Sequence, residues 1–172
     1  MERPLTQHIH PDGTTRTLRE YVTTGGYSSL QRLSSGLAPK DLQRLVTDAG
    51  LRGRGGGGFL TGTKWSFVPM GADAPKPKYI VANGDEMEPG TFKDRVLMEG
   101  DPHGLVEGMI LAGYAIDAEV GYIFLRGEYH LSAQRLTEAI AEAYAAGYLG
   151  KPLPGTGFRF DLHLHASAGR YI

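Results

Sequence analysis

Apolar residues recur along this chain at helical spacing in some stretches and at strand spacing in others, and the two periods take turns. After Ala38-Pro39, the residues Leu42, Leu45, Val46 and Ala49 fall on one face and Gly50 ends the stripe. Proline suits a first helical turn, so a short amphipathic helix is expected there. Lys78 to Ala82 is a short apolar run that reads as a buried strand, followed by a polar turn from Asn83 to about Asp94. Gly104 to Ala115 carries Leu105, Met109 and Ala112 on one face, with Ile116 next in register, which predicts a second helix. Gly121 to Leu125 is a second strand, and Leu131 to Ala146 a third helix with Leu136, Ile140 and Ala143 aligned and Gly147 at its end. Phe158, Phe160, Leu162 and Leu164 then alternate with Arg159, Asp161, His163 and His165, the period of a strand with one wet face.

The order strand, helix, strand, helix, strand predicts an α/β fold: a Rossmann-like, mostly parallel sheet with flanking helices and right-handed crossovers. A glycine-rich loop precedes it. Met1 to about Gly26 shows no period and reads as an arm lying over something else. The division expected is an amino-terminal arm with a short helix over 1–37 and one α/β domain over 38–172. In open parallel sheets ligands collect beyond the carboxyl ends of the strands, where the acidic turn after Ala82 falls.

Composition narrows the chemistry. The net charge is -1, from 18 basic and 19 acidic residues, so nothing favours nucleic acid or an anionic membrane as partner. Cysteine is absent, which removes disulfides, thiolate zinc sites, cysteine nucleophiles and thiolate-held iron-sulfur clusters, so redox chemistry here needs an organic cofactor. The start Met1-Glu2-Arg3-Pro4 lacks the order of a secretory signal, and the apolar stretch from Met109 to Ile116 is far below a membrane span. A soluble chain without direct membrane insertion is expected.

Two segments concentrate candidate chemistry. Gly53-Arg54-Gly55-Gly56-Gly57-Gly58-Phe59 cannot be a regular element, since each glycine costs a helix interior about 1 kcal/mol. It satisfies G-x-G-x-x-G but follows a helix where the dinucleotide fingerprint needs a strand, and Gly62-Thr63-Lys64-Trp65 fails the P-loop pattern. Such a run lets backbone N–H groups face one ligand closely, with Arg54 and Lys64 at hand for anionic oxygens; the alternative is a flexible surface loop. Asn83-Gly84-Asp85-Glu86-Met87-Glu88-Pro89-Gly90-Thr91 packs three carboxylates into four positions. They could orient ribose hydroxyls or flavin N–H groups, coordinate a hard metal, or form a solvated turn capping the next segment. Phe59, Trp65 and Phe67 could stack on an adenine or flavin ring or belong to the core. His8 with His10 and His163 with His165 are pairs at i, i+2 with no third ligand suggested, and Arg126-Gly127-Glu128-Tyr129 is either a functional loop at a strand end or a plain turn.

Together, Gly50-Leu51-Arg52-Gly53-Arg54 through Phe59, Thr61-Gly62-Thr63-Lys64-Trp65-Ser66-Phe67, and Asn83 through Arg95 resemble the FMN-containing, NADH-oxidising flavoprotein subunit of respiratory complex I, NADH:quinone oxidoreductase. The likeness continues through Asp101-Pro102-His103, Glu107 to Ala112, Gly121 to Tyr129 and Ala168 to Ile172, from about Leu42 onward. Related subunits of NAD-reducing hydrogenases and NAD-dependent formate dehydrogenases share these motifs.

The resemblance implies that Gly53, Arg54, Gly55, Gly56, Gly57, Gly58 and Lys64 line a pocket shared by FMN and NADH. It implies that Asn83, Asp85 and Glu86 face the flavin, that Glu88 lies on the nicotinamide-nucleotide side, that Phe59 and Phe67 hold the adenine, and that Tyr171 approaches the flavin. The reaction implied is hydride transfer from nicotinamide C4 to flavin N5, the two rings being stacked at roughly 3 to 3.5 Å. The partners implied are other peripheral-arm subunits, above all the small subunit with a two-iron cluster, on the cytoplasmic face of the membrane. This sequence departs from the family pattern at Gly57 and Gly84, commonly alanine, at Leu60, commonly proline, and at Ser167, commonly glycine. In the family the polypeptide continues beyond the equivalent of Ile172 with Cys-Gly-Glu-Glu-Thr, the rest of the flavin site, a ubiquitin-like domain and a helical domain holding a four-iron cluster. The expectation is therefore an incomplete site and an isolated chain that binds FMN weakly or not at all, or alternatively a non-catalytic fragment or assembly module.

Overall fold

A computed structural model describes residues 3–168. Its centre is a parallel sheet of order β1-β2-β3, with β1 at Tyr79–Gly84, β2 at Val120–Arg126 and β3 at Asp161–Ser167. Two helices, α5 (Lys93–Gly100) and α6 (Pro102–Ile116), make the first crossover, and α7 (His130–Ala145) makes the second. This is the α/β architecture the alternating periods predict. Register runs Tyr79 opposite Val120 and Val120 opposite Asp161, so the carboxyl ends of the three strands lie side by side.

The sheet is packed on one face. Ile123, Leu125 and Leu162 point inward against α6 and α7 and are buried with Val106, Ile110, Leu136 and Phe160. Tyr79 and Val81 point the other way and are more than half exposed, at 56% and 60%. Here the expected buried strand over residues 78–82 needs correction: β1 has one wet face, begins at Tyr79 and extends two residues further, to Gly84. An apolar run shows that a strand can be buried on both faces, whereas the helices present decide how many faces are. The third strand keeps its expected phase, with Phe160 and Leu162 inside and His163 and His165 outside, but its ladder starts at Asp161.

The amino-terminal arm contains two helices, α1 (Leu18–Thr23) and α2 (Ser28–Ser34). A reciprocal capping box starts α1: the Thr17 hydroxyl accepts from Glu20 N, and the Glu20 carboxylate accepts from Thr17 N at 2.8 Å. The arm is pinned to α6 by the buried carboxylate of Glu107, which accepts from the Tyr21 hydroxyl, the Ser29 hydroxyl and Tyr27 N, the last at 2.8 Å. Arg16 adds an ion pair to Asp101 at 2.8 Å, and the Tyr27 hydroxyl meets Nδ1 of His103 at 3.0 Å. Tyr21, Tyr27, Leu30 and Leu33 thereby join the core formed by α6, α7 and the sheet.

Between arm and sheet lie α3 (Pro39–Asp48) and α4 (Thr61–Ser66). The expected helix after Pro39 is α3. The short α4 is a poor helix by composition and is held by contact, because Gly62 sits so close to α3 that a Cβ there would be 2.1 Å from Thr47 Oγ1 and 2.7 Å from Gln43 O. At the far end of α6, the buried Lys78 ammonium donates to Ile116 O at 3.1 Å, placing a cation at a helix carboxyl terminus.

Candidate functional site

The glycine-rich segment is a loop closed at its base. Arg52 and Leu60 form an antiparallel bridge, Gly53 N donates to Phe59 O at 2.9 Å, and Thr61 N donates to Leu51 O at 2.8 Å. The Arg52 guanidinium donates to Gly58 O at 2.9 Å, tying the two sides again. The packing of α4 on α3 holds this base in place. Within the loop, Gly56 at φ 116° and Gly58 at φ 59° occupy backbone conformations that side chains oppose. A Cβ at Gly55, Gly56 or Gly57 would meet no protein atom within 4 Å, so the loop presents bare backbone to open space.

The acidic turn leaves the carboxyl end of β1. Asn83 Oδ1 accepts from Asp85 N at 3.1 Å, a local Asx-type bond that bends the chain, and Thr91 N donates to Glu88 O at 3.1 Å around Gly90. Asp85 is buried at 2% exposure, whereas Glu88 is exposed. Glu86 is buried too, and its carboxylate accepts from Asp94 N at 3.0 Å and Arg95 N at 3.3 Å, the first turn of α5. It serves as the cap that Phe92, at the N-cap position, does not supply. Tyr129 reaches the same carboxylate through its hydroxyl at 3.4 Å. Burial, followed by the charge of Glu86, raises this phenol above its ordinary pKa, so it remains a donor.

Loop and turn face each other across a cleft of about 560 Å³ at the end of β1. Arg54, Gly55 and Gly56 form one wall; Asn83, Asp85, Glu86 and Glu88 form the other, so these expected residues are brought together. Met87, Thr91, Lys93 and Asp94 also line the cleft, a role that sequence reasoning misses. The available signal is that Lys93 and Asp94, both charged, closely follow the acidic turn. Gly53, Gly57 and Gly58 belong to the same loop but not to this wall. Lys64 is exposed on α4, and Phe59 and Phe67 form an exposed pair with ring centroids 6.1 Å apart, all three outside the cleft lining. Tyr171 lies outside the described residues.

Chemically the cleft offers carboxylate acceptors for hydroxyl and ring N–H groups, backbone N–H donors from the loop, and two cations, Arg54 and Lys93. Lys93 is held by Asp94 at 2.5 Å and Glu86 at 3.8 Å. Beside it, sharing Asn83 and Asp94, lies a second cavity of about 550 Å³ walled by the arm residues Leu5, Arg16 and Tyr21 and by Leu97 and Met98.

A family model described as Nuo51 FMN-binding domain matches residues 46–172. The chain belongs to the Nuo51 FMN-binding domain family. An NADH-quinone oxidoreductase subunit of Escherichia coli (strain K12) is 51% identical over 169 residues, covering 98% of this chain and 38% of its own length. Another NADH-quinone oxidoreductase subunit, of Rhizobium meliloti (strain 1021), is 51% identical over 162 residues, again 38% of its length. The chain therefore spans less than two fifths of these family members. Among solved structures, an NAD+-reducing [NiFe]-hydrogenase in the air-oxidized state superposes with a TM-score of 0.67 at 35% identity, over 91% of this chain and 25% of that one. Among the described residues of this family member, no helix is long and apolar enough to cross a membrane.

Proposed function

We propose that this chain supplies two walls of a pocket for FMN and NADH, within a protein that oxidises NADH as a subunit of an NADH:quinone oxidoreductase. The observation that carries the reading is the convergence of Gly55 and Gly56 with Asp85 and Glu88 on one cleft at the end of a parallel strand. The residues fit the ligands. A side-chain-free loop with open space above it accepts a flat ring or a phosphate at backbone distance, and carboxylates opposite accept from ribose hydroxyls and ring N–H groups.

FMN, when bound, supplies an acceptor for a hydride from the nicotinamide. The work of this chain is to bind, orient and shield. Gly55 and Gly56 offer backbone N–H groups and set how closely a ring can lie; Arg54 and Lys93 balance phosphate charge; Asp85 and Asn83 fix the ring edge; Glu88, exposed at the rim, meets the incoming dinucleotide. Phe59 and Phe67 are the proposed adenine holders; their exposure as a ring pair on the loop side, outside the cleft lining, supports that role. No side chain of the cleft is required to give or take a proton during transfer. Gly53, Gly57, Gly58, Lys64 and Tyr171 complete the proposed set as loop frame, anionic-oxygen partner and flavin neighbour. The relatives' naming as subunits supports membership in a multi-subunit complex. The partners proposed within it are other peripheral-arm subunits, above all the small two-iron-cluster subunit, and the place proposed is cytoplasmic, on the membrane's inner face. The hydrogenase likeness supports the alternative host, an NAD-reducing hydrogenase.

The test is a chimera in which residues 1–172 replace the matched segment of the Escherichia coli relative. Retained, fluorescence-quenched FMN with NADH:ferricyanide turnover supports the reading. A folded chimera that holds no flavin under conditions where the Escherichia coli protein holds it refutes it.

A further inference from the structure

We propose that Arg126 is a positioning residue for the acidic turn: it grips the Glu86 carbonyl and thereby sets how Asp85 and Glu88 are presented to the cleft. This rests on the reading of the cleft as a flavin and nicotinamide site. Arg126 ends β2, beside the point where β1 gives way to the turn, because Gly84 pairs with Leu125. Its Nη1 donates to Glu86 O at 3.0 Å, while its Nε donates to Glu128 Oε2 at 3.2 Å. One carboxylate orients the guanidinium and one carbonyl receives it, so the group is aimed from two sides.

Tyr129 completes the grip. Its hydroxyl lies 3.3 Å from the same Glu86 carbonyl, and its ring is flanked by the guanidinium groups of Arg126 and Arg95, each 5.6 Å from the centroid. The loop packs closely on β3, since a Cβ at Gly127 would stand 2.4 Å from Ser167 O. The end of β3 therefore braces Arg126-Gly127-Glu128-Tyr129, and that loop braces the turn. Glu86 is held at both ends, its carbonyl by Arg126 and Tyr129 and its carboxylate by the amides of α5. Arg126 also sets a permanent positive charge, 28% exposed, behind a turn carrying Asp85, Glu86 and Glu88. It touches the backbone of the turn and does not line the cleft.

Two measurements test this. On the 172-residue chain, hydrogen exchange of Arg126→Gln is expected to speed up selectively at residues 85–88, by about tenfold, the scale of one charge-assisted hydrogen bond, with α6 and α7 unchanged. Arg126→Lys, which keeps the charge and one donor, is expected to restore most of the protection. In the chimera, Arg126→Gln is expected to raise KM for NADH about tenfold with a smaller change in kcat and flavin retained. Unchanged exchange at 85–88, or loss of protection spread equally over α6 and α7, overturns the proposal. So does an unchanged KM in an active, flavin-loaded chimera. An unsubstituted chimera without flavin overturns the cofactor reading instead, and the exchange experiment then still decides whether the clamp exists.

Discussion

Replacing Glu86 by alanine separates a carboxylate that serves the fold from one that serves a ligand. The Glu86 side chain is 2% exposed and receives the Asp94 and Arg95 amides at 3.0 and 3.3 Å. Losing a helix cap costs about 1 kcal/mol, and losing a negative charge at a helix amino terminus costs roughly 0.3 to 1 kcal/mol more. The Tyr129 hydroxyl also loses an acceptor, bringing the expected loss for Glu86→Ala to about 2 kcal/mol, or about 4 to 8 °C in Tm for a domain of this size. Glu86→Gln keeps one acceptor oxygen and gives up the charge, so about half that loss is expected. Glu88→Ala, at an exposed position, is expected to stay within about 0.5 kcal/mol of the parent. Urea unfolding followed by far-ultraviolet circular dichroism reads all three. If Glu86→Ala unfolds at the parent's midpoint while the chimera carrying it loses FMN, the carboxylate belongs to the ligand and the capping argument is wrong.

Other outcomes follow from the loop, the α3–α4 contact and the arm. Gly57→Ala, at ordinary φ with open space around it, is expected to leave thermal stability and FMN retention unchanged, whereas Gly56→Ala at φ 116° strains the loop by about 1 kcal/mol and loosens FMN; equal effects would refute the distinction. Gly62→Ala drives a methyl into Thr47 and Gln43 of α3 and is expected to cost about 1 to 3 kcal/mol by denaturant titration, with the glycine loop becoming more susceptible to protease; parent-like stability would contradict that packing. Glu20 has a lowered pKa, chiefly from the Thr17 N–H and then the Thr17 hydroxyl. Its contribution is present above the ordinary glutamate value of 4.5 and is lost as pH falls through the lower folded value, so α1 is expected to fray before the sheet during acid titration followed by NMR. An α1 that persists until the sheet itself unfolds would show that the capping box does not hold the arm.

Elements whose stability is local or periodic are legible in the sequence. Leu42, Leu45 and Val46 announce α3, and the stripe from Leu105 to Ile116 announces α6. The alternation through Phe160, Leu162 and His163 sets the inward face of β3. The helix α1 lies in a stretch without apolar period and so reads as plain arm, yet it carries a local signal: Thr17 followed three residues later by Glu20 is a capping-box signature. The helices α4 and α5 have no such signal. A Thr-Gly-Thr-Lys run becomes helical because Gly62 lets it close on α3, and α5 is started by a carboxylate eight residues before Asp94. For the cleft, composition marks both segments as unusual, but only the family resemblance joins them. Gly56 and Asp85 come to line one cleft through the turn of α4 and the path of β1, which no local pattern records.

Hydrogen exchange on the flavin-free chimera, with and without added FMN, tests the shared cleft most directly. If the glycine loop and the acidic turn are two walls of one pocket, residues 53–58 and 83–88 gain protection together and with the same FMN dependence. Protection confined to one of the two segments, or gained by them at different FMN concentrations, would contradict the account.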